Sequence, residues 1–261
     1  FLSKNKKNTQ ILIEEIPNDI RNKIQLQEIW YNVPHIKELK KYVLKNSKSA
    51  EGIDIRLELL PISIDLILNN SLSESLDSSM MNSMSEAKYF NELDNFFNGN
   101  GQVYNKYFNP IFKMQSTDST KSNQFINEYI SLSNDYKNIK NEFVNFKRLH
   151  KLINSTSIID IFKKDKEFSE KIYYSIDKLL NNIMEFYVAT KIISNFEENN
   201  LSTSILHMGL YHTHNLRNKL INRHNFKIIY ENGITKFPPI ENENIISCIR
   251  LPNKLSEFGI N

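Results

Sequence analysis

Apolar side chains recur at helical spacing over the long stretch 122–197, so a large share of this chain is expected to be helix. Phe125, Ile126, Tyr129 and Ile130 form one stripe; Phe143, Phe146, Leu149, Leu152 and Ile153 form a second. Ile172, Ile176, Leu179, Leu180, Ile183 and Tyr187 form a third. A break is expected near Asn154-Ser155-Thr156. Such aromatic and aliphatic stripes are read as faces turned to the core, in preference to a cofactor box.

Short apolar runs flank this helical block on both sides. Residues 10–16, Gln-Ile-Leu-Ile-Glu-Glu-Ile, predict a buried strand ending at Pro17. Asn18 or Asp19 can cap a following helix carrying Ile20, Ile24, Leu26, Ile29 and Trp30. Pro34 interrupts, and a further helix is expected from His35 to Asn46. From Gly52 to Glu58, Ile53, Ile55 and Leu57 alternate with Asp54, Arg56 and Glu58, which predicts a two-faced strand. Pro61 then opens a short helix to about Leu68. Residues 69–86 are rich in Asn, Ser and Met and are read as a loop, with low complexity at 78–84. Asn98-Gly99-Asn100-Gly101 is a turn. Ser204 to Met208 predicts another buried strand, followed by a glycine and a helix from about His212 to Arg223. Phe226 to Tyr230 and Ile245 to Ile249 are the last predicted strands, on either side of Pro238-Pro239. Strand–helix–strand units at both ends predict an α/β fold: a partly parallel sheet flanked by helices, with a long helical insertion or layer. One domain over 1–261 is expected, with strands in about 8–70 and 200–250 and the insertion at about 85–198.

Composition excludes several classes. The net charge of +3 gives no specific nucleic-acid signal. Lys, Asn and Ile are the residues that AT-rich codons specify, so groups such as Lys37, Lys40 and Lys41 are read as a solvated helix face. Cys248 is the one cysteine, which rules out an internal disulfide framework and a cysteine-rich zinc site and fits a reducing compartment. No apolar run approaches the roughly 18 residues of a membrane span. The start, Phe1-Leu2-Ser3-Lys4-Asn5, has no signal-peptide core and no initiator Met, so the chain is expected to begin inside a longer protein.

Four of the six histidines fall between His207 and His224. There an apolar strand runs into Gly209, and a polar turn opens a helix at Leu210-Tyr211-His212-Thr213-His214-Asn215. In open α/β sheets, sites gather beyond the carboxyl ends of the strands. A helix start offers backbone amides to an anion, and its positive dipole end favours neutral imidazole, the form a general base or metal ligand needs. His212 is therefore the leading candidate, and His212 with His214 could share a divalent metal with a carboxylate. The alternative is that these histidines cap the helix or hydrogen-bond within the core. Glu14 or Glu15 at the end of the first strand, or Asp54 on the second, could bring the carboxylate. Arg56 shares a strand face with Asp54; it is a candidate anion partner, or half of a salt-bridged strand pair. No phosphate-binding glycine loop, nucleophile elbow or zinc-protease helix is present.

Together these segments resemble uncharacterised proteins of large nucleocytoplasmic DNA viruses. In those proteins an apolar strand precedes Gly-x-x-His-x-x-Asn, matched here by Gly209, His212 and Asn215. A preceding helix with a motif like Asp-x-Tyr-x-x-Ala is matched by Glu185-Phe186-Tyr187-Val188-Ala189. Their Asp-x-Arg segment is matched by Asp54-Ile55-Arg56 before Pro61, and their strand ending in Glu and Pro by Glu14-Glu15-Ile16-Pro17. The order and approximate spacing agree over most of the chain. These viral proteins are distantly similar to the TIKI and erythromycin esterase-like superfamily, several of whose members are hydrolases. The resemblance implies His212 as base or ligand, Glu15 as a second acid/base group and Arg56 as an anion partner. The superfamily's first motif, an early Gly-Glu/Asp-x-His strand, has no counterpart here; it lies upstream of Phe1 or has been lost. Two functions are therefore expected as rivals: a hydrolase-like activity, intact or degenerate, or a virion or assembly scaffold with protein partners. Both place the protein in host cytoplasm or virion.

Overall fold

In the computed structural model, residues 9–17, 42–43, 45, 50–61, 83–114, 119–198 and 203–229 are described. The chain is α/β: a small parallel sheet flanked by helices, with long helices between its strands. It divides into two compact units, one of Phe1–Asp54 with Val188–Asn261, the other Ile55–Tyr187.

The first unit holds the sheet. Its strands are β1 (Thr9–Ile13), β2 (Ala50–Gly52) and β3 (Thr203–His207), in the order β2-β1-β3. Both pairings are parallel, and Ile13 is in register with Gly52 on one side and His207 on the other. Ile11, Leu12 and Ile13 are all buried, as expected of a central strand covered on both faces. Ile11 and Ile13 pack with Val43, Ala50 and Ile205. Burying the Ile11 and Ile13 side chains contributes about 2 kcal/mol each. The buried Gln10 is satisfied across the sheet: its amide donates to Glu51 Oε1 at 3.1 Å and accepts from Ser204 Oγ at 3.3 Å. Lys191 completes the chain by donating to Glu51 Oε2 at 2.6 Å.

The second unit is helical. It contains α1 (Arg56–Leu59), α2 (Glu86–Tyr89), α3 (Asn91–Phe97), α4 (Gly101–Val103), a π-helical turn (Tyr104–Phe108), α5 (Asn109–Met114), α6 (Ser119–Leu149) and α7 (Ile158–Lys164). Helix α8 (Lys166–Glu198) begins here, and its turns from Val188 onward belong to the strand-bearing unit, as does α9 (Leu210–His224). The expected break in the 122–197 block falls between α6 and α7. Ser157 caps α7, accepting from the Asp160 N–H at 3.1 Å while its hydroxyl donates to the Asp160 carboxylate at 2.7 Å. Asp165 caps α8 by accepting from the Phe168 N–H at 2.8 Å.

Several expectations are corrected. The 52–58 stretch is not one strand: β2 stops at Gly52 and α1 starts at Arg56. Ile53, Asp54 and Ile55 are all buried, so the alternation that suggested two faces has no solvent face to serve. The first strand ends at Ile13, and Glu14-Glu15 form a bend. Phe226 to Ile229 form no strand; Asn225 takes the left-handed conformation (φ 58°), closes α9, and leaves Phe226, Ile228 and Ile229 exposed. Ile126, Ile130, Leu149 and Ile153 are exposed, not core. On α6 the buried row is Phe125, Leu132, Tyr136, Ile139, Phe143 and Phe146, and a neighbour one position along points about 100° away. The helix expected at 35–46 is seen at Tyr42, Val43 and Lys45. The predicted helices at 20–30 and 62–68, most of the 69–86 loop and the strand at 245–249 lie outside the described residues.

A buried carboxylate ties α2 to α6. Glu86, 7 % exposed at its side chain, lies 2.6 Å from Lys147 Nζ and 3.6 Å from Lys140 Nζ. Glu86→Ala leaves two partly buried ammonium groups without it, and a cost of about 2 kcal/mol is expected in urea unfolding. Tyrosines on these two helices make the fold sensitive to alkali. Burial, then the charge of Tyr104, pushes the Tyr129 hydroxyl up from 10.0 to about 12, although a hydrogen bond with the Gly99 backbone works the other way. Burial also raises Tyr136 and Tyr89. The unfolded chain loses these protons from about pH 10 while the folded chain keeps them. Stability is therefore expected to be intact below pH 10 and to fall as pH rises toward about 12, read as a falling urea midpoint with the Tyr129→Phe chain falling less.

Candidate functional site at the carboxyl ends of the strands

The three strands end level with one another, and backbone bonds continue beyond them. The Glu14 N–H donates to His207 O at 2.8 Å, Ile53 N–H to Ile13 O at 3.0 Å, and Asp54 N–H to Glu15 O at 3.0 Å. The Glu15 N–H turns back to Ile13 O at 2.7 Å, a three-residue turn centred on Glu14. Gly52 permits this crowding. A Cβ there would meet Glu15 O at 2.5 Å and Ile16 O at 2.7 Å.

After β3, Gly209 caps α9 and His212 sits in its first turn. Glu14 reaches this turn with both oxygens. Oε2 accepts from the Gly209 N–H at 2.6 Å, and Oε1 lies 3.6 Å from His212 Nε2. The second distance is longer than a hydrogen bond, so the contact is electrostatic and gains strength when the ring is protonated. The side chains are 17 % and 9 % exposed, a sheltered setting in which the attraction is screened less than at an open surface. The Thr213 hydroxyl donates to Gly209 O at 3.0 Å and Met208 O at 3.2 Å, and the Thr213 N–H donates to Gly209 O at 2.9 Å, which fixes the turn that carries His212.

The remaining candidates take distinct places. Glu15 is buried, and its Oε1 accepts from the Ile16 N–H at 3.2 Å. Asp54 is buried on the segment after β2, held to the same turn through its amide. Arg56 belongs to the helical unit, where Nη1 donates to Asn181 Oδ1 at 2.7 Å and Asn181 in turn donates to Asp177 at 2.9 Å. His214 Nε2 lies 3.0 Å from the Asn218 side-chain amide. Among the described residues, no group of three or more His, Cys, Asp or Glu side chains is placed to hold a metal ion. Glu14, weighed beside Glu15 in the sequence, supplies the carboxylate at the His212 ring. The Gly209 amide that clamps it carries no side-chain signal, since a backbone donor leaves none.

These features define the class: a small α/β protein with a carboxylate–imidazole pair where two neighbouring parallel strands end. Among the described residues no helix is long and apolar enough to cross a membrane. No known protein family, curated protein or solved structure matches the chain.

Proposed function

We propose that this is a virus-encoded protein of hydrolase-like, TIKI and erythromycin esterase-like type, in which Glu14 and His212 act together as an acid/base pair. The observation that carries the reading is the Glu14 carboxylate held by the Gly209 amide with its other oxygen 3.6 Å from His212 Nε2. A carboxylate at one ring nitrogen stabilises the imidazolium formed when the ring takes a proton, which is the requirement of a general base. His212 would accept a proton from water as the water attacks an ester or amide carbonyl, and return it to the leaving group. The position at strand ends and the Gly209-x-x-His212-x-x-Asn215 pattern support the same reading.

The test is a panel of activated esters, amides and phosphate esters, run with and without added zinc or manganese. Turnover of at least one substrate is expected, falling about a hundredfold or more in His212→Ala and by a smaller factor in Glu14→Gln. The circular dichroism of both variants should match the parent chain. A His212→Ala chain as active as the parent would rule the pair out.

A second reading, an assembly or virion scaffold, is favoured by the run of exposed apolar side chains Phe226, Ile228 and Ile229 after α9. It predicts self-association that weakens in Phe226→Ser/Ile229→Ser. A parent chain that sediments as a monomer at every concentration would count against it.

A further inference from the structure

The run 101–114 is helical throughout but changes register in its middle, where the π-helical turn separates α4 from α5. There the Asn109 N–H donates to Tyr104 O, five residues back instead of four. Pro110 gives a reason for the α register to fail. It has no N–H to offer the Lys106 carbonyl, and its ring would crowd that carbonyl. Pro110 does not decide what replaces the α register, because a kinked α-helix answers the same restriction.

A buried carboxylate on α1 bears on that choice. The Glu58 side chain is 6 % exposed and accepts from the Tyr107 hydroxyl and from Lys106 Nζ at 3.3 and 3.5 Å. The Lys106 ammonium also lies 4.5 Å from the centre of the Tyr107 ring. Two consecutive residues therefore turn onto one carboxylate. Consecutive side chains diverge by about 100° around an α-helix and by less around the wider π turn. The same register sets the Tyr107 ring edge-on to Tyr187 at 5.1 Å and stacks Phe108 on Phe186 at 5.6 Å.

We infer that Glu58 is a register latch: its carboxylate holds Tyr104–Phe108 in the π register, and without it the run relaxes to a proline-kinked α form. The relaxation re-aims the Tyr107 and Phe108 contacts on α8, so the segment is a two-state element of the helical unit.

Amide hydrogen exchange on the full chain tests this, with Glu58→Ala, Glu58→Gln and Pro110→Ala. In Glu58→Ala, protection of amides 104–109 is expected to fall roughly tenfold while α6 and α8 keep theirs. Glu58→Gln, which retains one acceptor but drops the charge facing Lys106, should fall by less at the same amides. Pro110→Ala should keep the π pattern, because the latch remains. Wild-type protection at 104–109 in Glu58→Ala, or in Glu58→Gln where the alanine chain fails to fold, would overturn the inference and leave Pro110 alone as the cause. A loss spread evenly over the whole helical unit in Glu58→Gln would overturn it too, making Glu58 an ordinary buried acceptor.

Discussion

Gly52→Ala is expected to destabilise the chain by about 3 kcal/mol and to move the turn that carries Glu14. The added methyl would lie 2.5 Å from Glu15 O, 2.7 Å from Ile16 O and 2.9 Å from Ile16 C. All three are backbone atoms, so no side-chain rotation relieves the clash. Relief requires the 14–16 segment to retreat from β2, and that breaks the Asp54 N–H to Glu15 O bond. The Glu14 carboxylate would then leave the Gly209 amide and the His212 ring. The urea midpoint should drop, and any His212-dependent turnover should fall with it even under conditions where the variant is folded. Gly209 provides the contrast. A Cβ there meets only Glu14 Oε2 at 3.5 Å, ordinary contact, and its φ of −59° suits any residue, so Gly209→Ala should be nearly neutral for stability.

Phe96→Ala is expected to cost more, about 4 kcal/mol, and to act on the helical unit. Phe96 is fully buried on α3. Its ring meets Phe97, Phe108, Tyr129 and Tyr104 edge-on, with centroids 4.9, 5.0, 5.6 and 6.2 Å away. Such pairs add to area burial, and a void left among rigid rings cannot collapse well. Its carbonyl also accepts from the Tyr129 hydroxyl at 2.5 Å, a bond the substitution keeps only if α3 stays in place. Chemical denaturation followed by near-ultraviolet circular dichroism should show a lower midpoint and a weakened aromatic signal. A loss under about 1 kcal/mol would mean that the ring cluster does not act as one core.

Local chemistry made much of this protein legible without coordinates. The 3.6-residue period of the 122–197 block, the strand runs at 10–16 and 204–208, and the glycine before His212 each act over a few neighbours. The helices, the two paired strands β1 and β3, and the strand–glycine–helix passage into α9 follow from them. His212 in the first turn of a helix was visible for the same reason, since Gly209 is a helix start that any reading of the chain would place.

What the sequence left undecided depended on contacts between distant segments. Alternation over 53–58 looked like a strand, yet Ile53, Asp54 and Ile55 are each buried, and burial of successive residues erases the two-face pattern. Phe226 to Ile229 have strand composition, but a strand needs a neighbour to bond, and among the described residues that stretch has no strand pairing. The π turn follows a visible proline, but Glu58, forty-nine positions before Tyr107, shares its bond. Above all, Glu14 and Glu15 are adjacent carboxylates that composition cannot tell apart. The i→i+2 turn at Ile13 and the close approach of Gly52 send the side chain of one to the helix start and bury the other beside its own backbone. Sequence determined that a carboxylate would stand at the end of β1 and an imidazole at the start of α9. Tertiary structure brought the Glu14 carboxylate to that imidazole, because the direction of a side chain leaving a strand is set by the chain packed against it.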